Sequence, residues 1–425
     1  MKKVMPRLSS FSRLLFLPFL MLAGYSGIFA QNTLRAGVAK VNITPSVPIL
    51  MSGYGNRTEP FKGVHDSIYA TAMVFDDGSH KAAMVTADLI GFSHEFSAEV
   101  RRRIYQATGI DSQYVMLVAT HNHGGPANRT YGDGAAPETE AYIATLKDKL
   151  VAVAKAASSR LQPVLLGAAE GSCTMNINRR ARLADGSIWL GRNPDGPCDH
   201  TVSVVRIDDL NHNPLAVFVN WPCHGTVSGQ DNYQITGDWP GAVARFVEKA
   251  FEGKVIVPVT AGASGDINPI YGPGNEFRDI DAIGMLVGEE VVRIARLIET
   301  FPEGKIESLQ RVAVAQGKKP LPTRAPNQNP EPGPPVDIRF SAMKIGKIVF
   351  AGISGELMTE MGMAIKDESP YRHTIVITHC NGSSGYLCTD AAYPKGGYEV
   401  MVTRCMPGTE ALITTTMREM VHALE

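Results

Sequence analysis

The feature that most restricts how this chain can fold is an alternation. Short apolar runs of strand length recur at 82–88, 114–119, 164–167, 202–207, 216–219 and 254–260, and again at 337–343, 348–351 and 373–378. Longer stretches with helical periodicity stand between them: 93–108, 138–159, one from 238, 278–299, one from about 356, and 409–424. Apolar runs with no polar alternation are buried on both faces, so they require helices or a second sheet as cover. The expected fold class is therefore α/β, with mixed β-sheet layers flanked by helices. Ser93 is placed as an N-cap, and Pro240 suits a first helical turn. No internal repeat is evident in the residue pattern. A run holding seven prolines over 317–336 reads as a long extended loop inside the domain.

A hydrophobic fraction of 44% supports a large core and excludes a disordered chain. The formal charge is −1, so no basic surplus exists to bind nucleic acid through phosphates. Residues 1–30 carry Lys2, Lys3, Arg7 and Arg13 and no acid, then an apolar run from Leu14 and small residues up to Ala30. That is the pattern of a signal peptide cleaved near Ala30, which leaves residues 31–425 as the mature chain. No transmembrane anchor is expected after cleavage, and the location is periplasmic or secreted. In an oxidising compartment Cys173, Cys198, Cys223, Cys380, Cys388 and Cys405 could form up to three disulfides, with Cys380–Cys388 a candidate staple.

Four loops at strand ends hold groups able to do chemistry. Thr120-His121-Asn122-His123-Gly124-Gly125 projects two imidazoles from one place, with glycine leaving space beside them. His224 follows the run at 216–219, Asp266 and Asn268 follow the run at 254–260, and Glu356 follows the run at 348–351. Each has an ordinary structural reading as well: a hydrogen-bonded loop histidine, a Gly-Asp turn, a carboxylate at a helix start. Together they place His121, His123, His224 and Glu356 at the C-terminal ends of strands, where α/β sheets gather their sites. Two imidazoles, a carboxylate and an open position suit zinc.

Further motifs carry a family resemblance. Residues 36–45 read AGVAKVNITP; Gly53-Tyr54-Gly55, the run from Gly63 to Ala70, Thr120-His121-Asn122-His123-Gly124-Gly125-Pro126 and Asn176-Ile177-Asn178-Arg179 follow in order. In these segments the chain resembles the catalytic domain of the neutral (alkaline, non-lysosomal) ceramidases, from about Arg35 to Met406. The resemblance implies that fold and a hydrolase that cleaves the amide of N-acyl sphingosines with one zinc ion. It implies His121, His224, Glu356 and Tyr386 as metal ligands. His123, Arg179 and Tyr398 stand at positions that in the family orient or polarise the substrate amide.

The chain departs from the family at two points. The family's G-D-x-S-P-N serine is replaced by Asn268 in Gly265-Asp266-Ile267-Asn268-Pro269-Ile270. Loss of an obligatory serine would cost on the order of 10⁶ in rate. The expectation is therefore hydrolysis of an amide or ester by water activated at zinc, with Asn268 supplying a positioning hydrogen bond. The alternative is an inactive ligand-binding protein on the same fold. No Gly-x-Ser-x-Gly nucleophile elbow occurs. The family also carries a C-terminal sandwich domain, whereas this sequence ends at Glu425, which turns the expected substrate away from ceramide toward a small molecule or a lipid- or glycan-derived fragment.

Overall fold

The computed structural model describes residues 1, 34–129 and 136–424; the expected signal peptide lies outside them. Three successive stretches of the chain are built the same way. Each lays down three antiparallel strands, crosses over through a helix, adds a fourth strand parallel to the third, and ends in a second helix. In the first stretch the strands are Arg35–Asn42, Tyr69–Asp76, Lys81–Ala87 and Val115–Ala119, with helices His94–Thr108 and Pro137–Ser158. In the second they are Leu165–Ser172, Thr201–Asp208, Pro214–Trp221 and Val259–Ala261, with helices Asp238–Ala250 and Phe277–Leu297. In the third they are Ile306–Lys318, Pro332–Ile345, Ile348–Ile353 and His373–Ile377, with helices Thr359–Asp367 and Thr409–His422.

Burial explains the layers. One face of each sheet packs on its own two helices. Phe96, Val100, Leu146 and Leu150 cover the first sheet, Trp239, Val243, Val287 and Val291 the second, and Met361, Ile365, Ile413 and Met417 the third. The opposite faces meet in one shared core that contains Met84, Met116, Phe218, Ile207, Phe350 and Ile375. Phe218 and Phe350 join two of the sheets edge-to-face, with ring centroids 5.5 Å apart. Strands buried on both faces need apolar residues at every position, which is why the sequence runs show no polar alternation. The expected N-cap forms: the Ser93 side chain accepts the Phe96 N–H, and the helix closes at Gly109 in the left-handed region.

Five sequence expectations are corrected. A three-part repeat does exist, but at the level of element order and not of residues. The proline-rich segment is no long connection, because strands Ile306–Lys318 and Pro332–Ile345 pair through Lys318↔Pro332 and leave only residues 319–331 as the turn region of a hairpin. Glu356 opens no helix: Glu356–Leu357 is a short strand parallel to Tyr386–Leu387, and the helix starts at Thr359. All six cysteines are free thiols, and Cys380 and Cys388 are buried in different cores. The run at 254–260 is no continuous strand: it pairs with Ala216 through a single bridge at Ile256, and the strand itself is Val259–Ala261.

The open edge of the first sheet is closed by the third stretch. Asn381, buried and at φ 58°, accepts the Leu117 N–H at 2.8 Å and donates to the Val115 carbonyl at 3.1 Å and to Ser341 Oγ at 3.0 Å. Its side chain thus stands in for a neighbouring strand and fixes the loop that leads to Tyr386. Asn381→Ala leaves a buried N–H and a buried carbonyl without partners, and we expect a stability loss of about 3 kcal/mol in a urea titration.

Candidate metal centre

The third and fourth strands of each stretch end in loops, and those six loops meet. From the first stretch come Ile90 and His121–His123, from the second His224 and Ser264–Asn268, from the third Glu356 and His379–Tyr386. His121 and His379 both sit at positive φ, 58° and 55°, a conformation that non-glycine residues hold only where surrounding structure over-determines it. The approach is close. A Cβ on Gly265 would lie 2.5 Å from the Glu356 carbonyl oxygen, so only glycine lets the Ser264–Asn268 loop reach the Glu356 strand.

The imidazole orientations are set by backbone. His121 Nδ1 lies 2.9 Å from the Ile90 carbonyl, and His224 Nδ1 lies 2.6 Å from the Ser264 carbonyl. A carbonyl can only accept, so each ring carries its proton on Nδ1 and turns the Nε2 lone pair inward. Glu356 Oε2 stands 3.4 Å from His121 Nε2 and 3.2 Å from His224 Nε2. His123 Nε2 is 3.2 Å from His121 Nε2, and His121, His123 and His224 form a group that could hold a metal ion, with ligand atoms within 4.8 Å of one another. Unlike the other two, His123 Nδ1 has no hydrogen-bond partner. The ring is held from outside by Tyr54, edge-on with centroids 5.2 Å apart, while Arg57 donates to the His123 carbonyl at 2.6 Å.

Burial pushes the His224 imidazole down to about 4 and His123 well below its ordinary value, so both are neutral, the form that ligates metal. Burial works to raise Glu356, and His121 and His224 hold the carboxyl well below its usual range only when a proton or a cation is shared between them and it. Burial also raises the Tyr386 phenol well above its ordinary value against the pull of Arg179, so only a strong local positive charge would ionise it.

Arg179 closes the site from the hairpin Asn176–Arg182 and Ile188–Asn193. It donates to Tyr386 Oη at 3.0 Å and to Asn268 Oδ1 at 3.3 Å, and its Nη1 is 3.1 Å from His224 Nε2. The Tyr398 ring lies edge-on to Tyr386 with centroids 5.7 Å apart. All eight residues singled out in the sequence, His121, His123, Arg179, His224, Asn268, Glu356, Tyr386 and Tyr398, therefore lie in one constellation. It opens into a cavity of about 730 Å³ that His123, Arg179, Asn268, Tyr386 and Tyr398 help to line.

Two neighbours were not foreseen. His379 is buried and stacked on His121, centroids 3.9 Å apart and planes at 12°. It follows an apolar run as His121 does, so the strand-end argument could have found it. Glu399 could not have been found this way. It is buried and shared by two guanidiniums, Arg179 Nε at 2.8 Å and Arg180 Nη1 at 2.6 Å. Glu399→Gln keeps the shape and removes the charge that balances both arginines. Breaking a buried ion pair from one side costs about 3–5 kcal/mol, and we expect a loss of that order in denaturant unfolding.

Comparison with known proteins gives the family and the fold. The family model described as "Neutral/alkaline non-lysosomal ceramidase, N-terminal" matches residues 34–273. Neutral ceramidase of Drosophila melanogaster is 27% identical over 62% of this chain and 41% of its own length. Neutral ceramidase A of Dictyostelium discoideum is 27% identical over 58% of this chain and 35% of its own. The chain thus spans about two fifths of the length of such relatives. The neutral ceramidase of Pseudomonas aeruginosa is 22% identical over 92% of this chain and 72% of its own length. Its crystal structure superposes with a TM-score of 0.77 over 92% of this chain and 74% of that one, at 21% identity, which shows the shared fold. The chain belongs to the neutral/alkaline non-lysosomal ceramidase family.

Proposed function

We propose that this protein is a zinc-dependent hydrolase that cleaves an amide (N-acyl) or ester bond with water as the nucleophile. The observation that carries this reading is the meeting of three electron-pair donors. The Glu356 carboxylate lies 3.4 Å and 3.2 Å from two buried Nε2 atoms, each imidazole fixed through its Nδ1 by a backbone carbonyl. Such donors repel unless a cation or a proton lies between them, and a carbonyl-held Nδ1 is the usual support of a ligating histidine. His121, His224, Glu356 and Tyr386 would hold the ion. A zinc ion held there would supply a lowered pKa for a bound water and polarisation of a carbonyl oxygen.

The remaining residues act on the substrate. The His123 ring lines the cavity and, unlike His121 and His224, is not tied through Nδ1 to a backbone carbonyl, so it is the histidine assigned to proton exchange with the leaving group. Arg179 and Tyr398 stabilise the oxyanion that develops as water adds to the acyl carbon. His123 takes the proton that the water gives up as it adds; the C–N or C–O bond then breaks, and that proton passes to the leaving amine or alcohol through His123 or Tyr398. Asn268 keeps its amide against Arg179 and moves no proton. It also favours a second reading, a ligand-binding protein on an inherited fold, which predicts bound ligand without turnover. Residues 1–30 support a periplasmic or secreted location. No helix of the described residues is long and apolar enough to cross a membrane.

Metal analysis of the purified protein is expected to find about one zinc per chain. His224→Ala is expected to reduce this to background, and stoichiometric zinc in that variant would refute the ligand assignment. Zinc with no turnover across a broad panel of N-acyl and ester substrates would decide for the binding reading. Asn268→Ser tests the substrate: if it creates ceramide hydrolysis where the natural protein has none, the natural substrate is another compound.

A further inference from the structure

The cavity beside the proposed metal centre has an unusual wall for a chain related to lipid amidases. Its side chains beyond the reacting groups include Asn56, Gln230 and Arg192, with Leu190, Pro269 and Pro273 as the aliphatic part. No aspartate or glutamate lines it among the described residues. That surface offers amides and a cation to a ligand and little cover for two long hydrocarbon chains.

Arg192 is the informative residue. It lies on the strand Ile188–Asn193 and is exposed. Its Nε donates to the Ile270 carbonyl at 3.0 Å and its Nη2 to the Gly272 carbonyl at 3.4 Å. It makes no ion pair among the described residues, whereas Arg179 and Arg180 share Glu399. The two carbonyls that hold it are themselves fixed. Gly272, at φ 94°, lies so near Val227 that a Cβ there would come 2.6 Å from the Val227 carbonyl oxygen, and the Gly274 N–H donates to that same oxygen at 2.9 Å. Val227 follows His224 by three residues. The guanidinium is thus tied, through a short run of backbone, to one wall of the proposed metal centre. A planar guanidinium held from one side keeps its free N–H groups for an oxyanion and loses little side-chain freedom on binding one.

We propose that the cavity takes a small, polar N-acyl or O-acyl compound bearing an oxyanion, carboxylate or phosphate, and that Arg192 is the residue that reads it. This rests on the acyl-cleaving reading above and names its substrate class. Three matched probes test it: N-acetyl-β-alanine, N-acetyl-2-aminoethyl phosphate and neutral N-acetylethanolamine. Affinity is measured by calorimetry on the metal-loaded full chain, with KM taking its place for any probe that is turned over. At least one anionic probe is expected to bind about tenfold tighter than the neutral one, the effect of a hydrogen bond to a charged group. Comparing the two anions separates a carboxylate site from a phosphate site. Arg192→Gln is expected to abolish the preference and Arg192→Lys to restore part of it, with zinc content and Tm reporting separately on folding. Equal binding of all three probes, no binding of any, or a preference that survives Arg192→Gln would overturn the proposal. Absent turnover with a clear charge preference would instead count against the hydrolase reading alone.

Discussion

The structure is organised around a cluster of electron-pair donors, two of them buried imidazoles, at the floor of the cavity. His121, His224 and Glu356 each come from a different stretch of the chain, and the Glu356 Oε2 lies 3.4 Å and 3.2 Å from the two imidazole Nε2 atoms. Left uncompensated in a buried place, such an arrangement is unfavourable, because polar atoms removed from water need partners. The fold meets this by fixing every donor from behind. In the first stretch the loop after the third strand gives the Ile90 carbonyl that holds His121 from the loop after the fourth. In the second the roles reverse, with the fourth-strand loop giving the Ser264 carbonyl that holds His224. In the third the Glu356 N–H is bound to the Gly385 carbonyl, next to Tyr386. Backbone carbonyls cannot rotate away, so the Nε2 atoms are aimed in advance.

This placement depends on the threefold element order. Each sheet ends in a parallel pair, and a parallel pair carries both strand ends, hence both loops, to the same edge. Packing the three sheets on one shared apolar core brings those edges together. The strained backbones of His121 and His379 occur where the loops turn inward, which is where a fold commonly holds strain in support of a site.

Arg179 links this centre to the rest of the cavity. One guanidinium touches Tyr386, Asn268 and the His224 ring while Glu399 neutralises it and Arg180 shares the same carboxylate. A cation so placed can face a developing negative charge without moving, which is the physical condition for electrostatic stabilisation. Asn268 is engaged by the same arginine, which donates to its Oδ1 at 3.3 Å.

The sequence by itself determined the strands, the helices and the residues at their ends. Unbroken apolar runs such as 114–119 and 216–219 bury both faces, and a histidine directly after such a run must stand at a sheet edge. Motif order then brought in Arg179, Tyr386 and Tyr398, which periodicity alone did not reveal. The tertiary structure decided what local pattern cannot encode. The threefold repeat was hidden because burial constrains apolar character and not residue identity, so equivalent strands share no motif. Glu399 drew no attention because its partners, Arg179 and Arg180, are more than two hundred residues away in sequence. The same holds for the tautomers of His121 and His224 and for the free edge of Arg192. Each is set by a carbonyl from a distant loop, and which carbonyl faces which ring is fixed only when the three sheets close on their common core.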